Sequence, residues 1–260
     1  MLENVYQHFR KEERPFIDQV TGWIRACEDQ YAPYLTNFLD PRQAYIVETI
    51  VGKRSEIKLY TFGGYEAAER VRVYICPEYY IPKQDEFDIT LCEIRYPLKF
   101  AKMSHGKVLG TLLSTGLKRE YFGDIISDGE KWQFFVEDSM KSFVLNQVDK
   151  IGNVSVRIEE KTYLDMLLPI DSWTVVQETV SSMRLDTVIA TLFNISRQRA
   201  KQMVESGKIK LNWAEITRPD FELGLLDIVS VRGFGRLQIQ EIEGKTKKDK
   251  WRIQFGVLHK

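Results

Sequence analysis

Two runs of apolar residues at helical spacing follow each other closely between residues 184 and 207, and they constrain the fold more than any other feature of the chain. Leu185, Val188, Ile189, Leu192 and Phe193 share one face of a first helix, and Ala200, Met203 and Val204 one face of a second. Ser196 stands where a hydroxyl caps the second helix, and Gly207 ends it. Lys208-Ile209-Lys210-Leu211-Asn212 then alternates basic with apolar residues, as a half-buried strand does, before a turn at Trp213-Ala214. A strand over 227–231 runs into Arg232-Gly233-Phe234-Gly235-Arg236. A last hairpin pairs 237–242 with 251–257 around the basic turn Lys245, Lys247, Lys248 and Lys250. The order predicts a compact helix pair with neighbouring strands.

What this module turns outward is basic. The chain as a whole is neutral, with 37 Lys+Arg and 37 Asp+Glu, but from Val180 to Lys260 the count is 15 against 9, which leaves 22 against 28 elsewhere. Such asymmetry is the footprint of a basic binding module on an acidic body. Arginine forks and a helix N-terminus suit phosphates, and a strand adds Lys208 and Lys210 on one face. The candidate phosphate-contacting residues and their polar neighbours are Arg184, Ser196, Arg197, Gln198, Arg199, Lys201, Lys208, Lys210, Asn212, Arg232 and Arg236. Arg197 falls in a first helical turn, where the helix dipole disfavours a cation, so its position points to an anionic ligand more than to local stability. A solvated basic face is the alternative on charge alone.

The remainder reads as two further domains, over 1–80 and 81–165, before the basic domain at 180–260, with 162–180 as connector; the fold class is α+β. Residues 12–30 read as an amphipathic helix, a second helix opens at Asp40-Pro41 and runs to about Ile50, and strands follow at 57–62 and 71–76 around Gly63-Gly64. From Phe87 the order is strand 88–95, helix 107–113 capped by Ser104, strands 124–127 and 132–136, helix 138–148 and strand 154–159. That βαββαβ order predicts a ferredoxin-like sandwich, the topology of RNA-recognition motifs. Phe135 is the residue available for stacking a base if Trp132, Phe134 and Val136 face the helices.

Met183-Arg184-Leu185-Asp186, Ser196-Arg197-Gln198-Arg199-Ala200, Val204-Glu205-Ser206-Gly207 with the strand that follows, and Asp227-Ile228-Val229-Ser230-Val231-Arg232-Gly233 resemble, in order, the RNA-binding domain of ribosomal small-subunit protein four. The chain departs from that pattern at Trp213-Ala214 and Leu225-Leu226, where the family often has glycine, which bears on turn geometry. His8-Phe9-Arg10, Glu13-Arg14-Pro15-Phe16-Ile17-Asp18, Phe62-Gly63-Gly64-Tyr65, Ser104-His105-Gly106-Lys107 and the block from Gly116 to Ile125 are similar to the bacterial YlmH family over nearly the whole chain. The resemblance implies cytoplasmic association with RNA or the ribosome, with rRNA as the expected ligand and tRNA as a further candidate, and the reading adopted is a non-catalytic binder. The resemblance also implies association with large ribosomal subunits that retain peptidyl-tRNA, in translation quality control.

Other chemistries find less support. Lys102-Met103-Ser104 is similar to the start of an ATP-handling loop of class I tRNA synthetases, but His105-Gly106 replaces the Lys-Ser that follows there. Arg184-Leu185-Asp186 is similar to a pseudouridine synthase segment, yet here it opens a helix, so Asp186 reads as an arginine partner or a helix N-terminal carboxylate. Gly63-Gly64 lacks the longer glycine-rich loop of a methyltransferase, and an RNA-modifying enzyme stays as the alternative function. Three histidines, His8, His105 and His259, have no spaced partners for a triad or a metal, and Cys27, Cys76 and Cys92 read as reduced, buried thiols. No cofactor is expected, no apolar run reaches the roughly 18 residues of a spanning helix, and a monomer is expected. Lys118 and Arg119 are a second candidate RNA contact, against a plain turn into a strand.

Overall fold

The computed structural model describes residues 6–7, 9–52, 56–97, 103–167 and 173–259. Two compact units divide the chain, Met1–Ile170 and Asp171–Lys260. His8, Lys102, Pro169 and Asp171 lie outside the described residues.

In the first unit, α1 (Arg14–Gln30) buries Ile17, Val20, Ile24 and Cys27, a stripe at steps of three and four. Strand β1 (Tyr34–Leu39) follows, then α2 (Pro41–Val51), which Asp40 caps: its carboxylate accepts from Gln43 N at 2.8 Å while Gln43 Oε1 accepts from Asp40 N at 3.0 Å. With β2 (Ile57–Phe62) and β3 (Val71–Pro77) the sheet order is β1-β3-β2, antiparallel, and α1 and α2 close its core around Val20, Ile24, Val47 and Ile75. Strand β1 has no counterpart in the elements expected from sequence. A register shift between Leu35 and Phe38 breaks its alternation, which hides the period of two.

The second half of the unit runs β4 (Ile89–Arg95), α3 (His105–Ser114), β5 (Phe122–Ser127), β6 (Trp132–Glu137) and α4 (Asp138–Gln147). The short ribbon β7 (Lys150–Ile151) and β8 (Val154–Ser155) precedes β9 (Arg157–Lys161). The main sheet is antiparallel in the order β5-β6-β4-β9, as a ferredoxin-like sandwich requires. The last strand expected at 154–159 is thus two pieces, of which only β9 joins the sheet. Cys92, Ile94, Phe134 and Val136 face the helices with Val108, Leu112 and Val144.

The opposite sheet face does not meet solvent, which corrects the base-stacking expectation for Phe135. Phe135 is completely buried and packs with Phe38, Phe87, Leu91, Tyr60 and Tyr65 from both halves of the unit. Its ring stacks on Tyr65 at 5.5 Å between centroids, and Gly64 approaches so closely that a Cβ there would lie 2.3 Å from Phe135 Cε1. Asp124 locks the seam, its carboxylate accepting from Tyr65 Oη at 2.9 Å, Glu69 N at 2.7 Å and Arg70 N at 3.2 Å. Burial, aided by Glu69, pushes its carboxyl above the usual range against those hydrogen bonds. Arg70 donates to the carbonyls of Phe122 and Phe38, and Arg72 to those of Thr36, Phe87 and Asp88. The Gly-Gly-Tyr and Gly-Asp motifs therefore join two sheets.

In the second unit β10 (Thr174–Val180) leads to α5 (Leu185–Leu192) and α6 (Arg197–Glu205). Then come β11 (Ile209–Leu211), β12 (Ala214–Glu215), β13 (Ile228–Val231), β14 (Gly235–Lys245) and β15 (Trp251–His259). The antiparallel order is β10-β15-β14-β13-β11-β12. Much of the expected connector is therefore strand, since β10 pairs with β15 along its whole length. Both helices pack on one sheet face through Leu185, Val188, Ile189, Ala200 and Val204 against Ile209, Val231, Leu237 and Phe255. All three thiols, Cys27, Cys76 and Cys92, are free and buried, and burial first of all pushes Cys76 and Cys92 up to about 12. No helix of the described residues is long and apolar enough to cross a membrane.

Candidate nucleic-acid interface

Arg199 and Gln202 on α6, Ser206 at its C-terminal cap, Lys208 before β11, and Arg232 and Phe234 in the turn from β13 to β14 line an open groove of about 660 Å³. The strands bring them together. Arg232 N donates to Lys208 O at 3.0 Å, continuing the β11–β13 pairing, and Phe234 N donates to Val231 O at 3.0 Å to close a tight turn. Gly233 has φ 89°, which a side chain would strain. The Arg199 guanidinium lies 5.5 Å from the centre of the Phe234 ring, which itself packs on Phe193. A stacked arginine keeps its edge donors for a ligand, so three cations, a hydroxyl and an amide border one groove, a set suited to phosphate oxygens.

Arg184 and Arg197 are placed otherwise. Asp186, its side chain 3% exposed, accepts from Arg184 Nε at 3.2 Å and Nη2 at 3.1 Å, and from Arg197 Nε at 3.0 Å. Burial alone would raise the Asp186 carboxyl, but the hydrogen bonds from Arg184 and Arg197 outweigh it and hold the group below its usual range. The first-turn position of Arg197 thus has a local cause in this buried carboxylate, which corrects the inference that it signals an external anion. Asp186 is the arginine partner that its spacing suggests.

The other candidates divide between structure and surface. Ser196 caps α6, its Oγ accepting from Arg199 N at 3.2 Å. Asn212 is a turn lock: its Nδ2 donates to Asp227 Oδ1 at 3.0 Å and its Oδ1 accepts from Ile228 N at 2.9 Å. Asn212, Trp213 and Leu226 hold φ of 46°, 66° and 63°, so both departures from glycine keep a left-handed turn without glycine. Gln198 and Lys201 are exposed on α6, Lys201 lying 3.7 Å from Glu205. Lys210 and Arg236 point from the sheet face opposite the helices. In the first unit Lys118 is exposed, 3.6 Å from Glu120, whereas Arg119 Nη1 donates to the carbonyls of Phe122 and Gly123. Gln202, Ser206 and Phe234 were not among the sequence candidates; an aromatic residue between glycines and arginines was the signal for Phe234.

A helix pair that presents arginines beside a short basic strand defines an S4-domain protein of the RNA-binding kind, and residues 183–229 match the S4 domain. Residues 12–80 match "YlmH, N-terminal" and 82–165 match "Putative RNA-binding domain in YlmH". The sequence is 40% identical over 254 residues to the "Ribosome-associated protein quality control protein P2" of Bacillus subtilis (strain 168), with 98% of each chain covered. A solved structure, "Cell division protein ylmH from Streptococcus pneumoniae", is similar with TM-score 0.54 and 35% identity, covering 63% of this chain and 99% of that one. The chain belongs to the YlmH family.

Proposed function

We propose that this protein is a non-catalytic, monomeric RNA-binding protein of the cytoplasm that acts on the large ribosomal subunit carrying peptidyl-tRNA, in translation quality control. The groove between α6 and the β13–β14 turn carries the reading, because Arg199, Lys208 and Arg232 converge there with polar neighbours and no acid among the described lining residues. The name of the Bacillus subtilis relative, a ribosome-associated quality control protein, supports the ribosome as the setting. Lys201 and Gln198 extend the same helix surface toward RNA, and Lys118 is the candidate contact of the first unit.

Co-sedimentation tests this with large subunits that retain peptidyl-tRNA and with vacant ones. The wild-type chain is expected in the pellet with the first, and Arg199→Ala combined with Lys208→Ala and Arg232→Ala is expected to remain in the supernatant. Each lost phosphate contact should also reduce the salt slope of binding by about one unit. Unchanged pelleting of a folded triple variant, with an unchanged slope, would remove the groove from the reading.

A further inference from the structure

The sheet face turned away from the helices carries a second constellation. The Arg236 guanidinium carbon lies 5.2 Å from the ring centre of Trp173 and 5.7 Å from that of Trp213, so two indoles flank one cation. Lys210 pairs with Ser230 and Ser230 with Arg236 across β11, β13 and β14, and residues directly opposite share a face. Their sequence neighbours Ile209, Val231 and Leu237 are the buried ones, which fixes Lys210 and Arg236 on the outward side.

A close backbone approach accompanies one tryptophan and a left-handed backbone the other. Trp173 lies across Gly256, where a Cβ would come within 3.2 Å of the indole. Trp213 sits at the tip of the β11–β12 hairpin at φ 66°, a conformation glycine adopts freely and a bulky residue only at a cost. Neither residue is fully buried. A half-buried indole held in strained backbone beside a stacked arginine and a lysine matches the two parts of a nucleotide, a flat base and an anionic phosphate.

We propose that the Trp173–Arg236–Trp213 stack, together with Lys210, takes an unpaired nucleotide of RNA, its base on an indole face and its phosphate against the cations. The proposal rests on the reading of this unit as an RNA binder, but it gives the two faces of the unit separate roles. The groove meets the backbone of paired RNA, and the sheet face meets a base outside a helix.

The test uses the full chain and two fluorescently labelled RNAs that share one stem, a blunt duplex and the same duplex with a short unpaired 3′ extension, read by anisotropy. Trp213→Gly deletes the ring and suits the left-handed backbone, so the turn is kept; Trp213→Phe keeps an aromatic face. The wild-type chain is expected to prefer the extended RNA by roughly fivefold or more, as stacking of a base warrants. Trp213→Gly should abolish the preference without weakening the blunt duplex, and Trp213→Phe should retain most of it. Equal binding of both RNAs by the wild-type chain, or a proportional loss for both RNAs in Trp213→Gly, overturns the proposal while leaving the groove in place. Binding of neither RNA overturns the RNA-binding reading together with it.

Discussion

Asp186 and Arg197 show how a cation on a basic helix can serve folding. A cation in the first turn of α6 opposes the helix dipole, yet Asp186, buried between the two helices, requires donors that Arg197 and Arg184 supply. Arg197→Ala should therefore lower stability by about 1 kcal/mol, the scale of one charged hydrogen bond at a half-exposed side chain, whereas Arg199→Ala should change it by under about 0.5 kcal/mol and act on RNA affinity instead. Urea unfolding beside RNA titration separates the two, and equal stability losses would place both in one role. Because the folded Asp186 carboxyl lies below its unfolded value of about 3.9, its contribution is present above that value and is lost as pH falls through the folded one. Acid titration should thus destabilise the wild-type chain more steeply than Asp186→Asn. The pairing of Asp186 was legible because Arg184 stands two residues away. The locking role of Asn212 was not, since its partner Asp227 lies across a loop and nothing local announces it.

Elements with a strong period were legible and those with a broken one were not. Helices α1, α3, α5 and α6 display their apolar stripes in the sequence, and Ser104 and Ser196 mark two of their starts. Strand β1 was hidden by its bulge, and β10 by exposure: only Val180 is buried, so Thr174-Val175-Val176-Gln177-Glu178 reads as a loop. The pairing of β10 has a practical consequence. A fragment beginning at Trp173 keeps all seven register pairs from Thr174↔Val257 to Val180↔Trp251, whereas one beginning at Gln177 loses three of them and Trp173 as well. The longer fragment should melt several degrees higher by circular dichroism, as a difference of about 1 kcal/mol produces in a domain of this size. Equal melting temperatures would mean that β10 contributes nothing to the unit.

At the scale of the molecule, the middle sandwich has the topology of a base-stacking domain while its neighbour occupies the stacking face. Pattern alone offered Phe135 as the residue turned from the helices if Trp132, Phe134 and Val136 faced them; what covers it was a long-range fact, settled by Gly64, Tyr65 and Asp124. Gly64→Ala places a methyl group against the Phe135 ring at a position with φ 102° and should destabilise the first unit by about 1–3 kcal/mol. RNA binding by the S4 domain should persist, and an unchanged urea midpoint would show that the seam yields without strain. The buried thiols carry a different consequence. Cys27, Cys76 and Cys92 are the only cysteines of the sequence, and each is enclosed and poor in thiolate. Ellman's reagent should count none of them quickly in the native protein and all three in denaturant. The natural chain is then already a silent background for maleimide chemistry: a cysteine introduced in place of Lys210 or Gln198 would accept a fluorophore or crosslinker by itself, and the two faces of the S4 domain can be followed in an RNA titration without first removing a native residue.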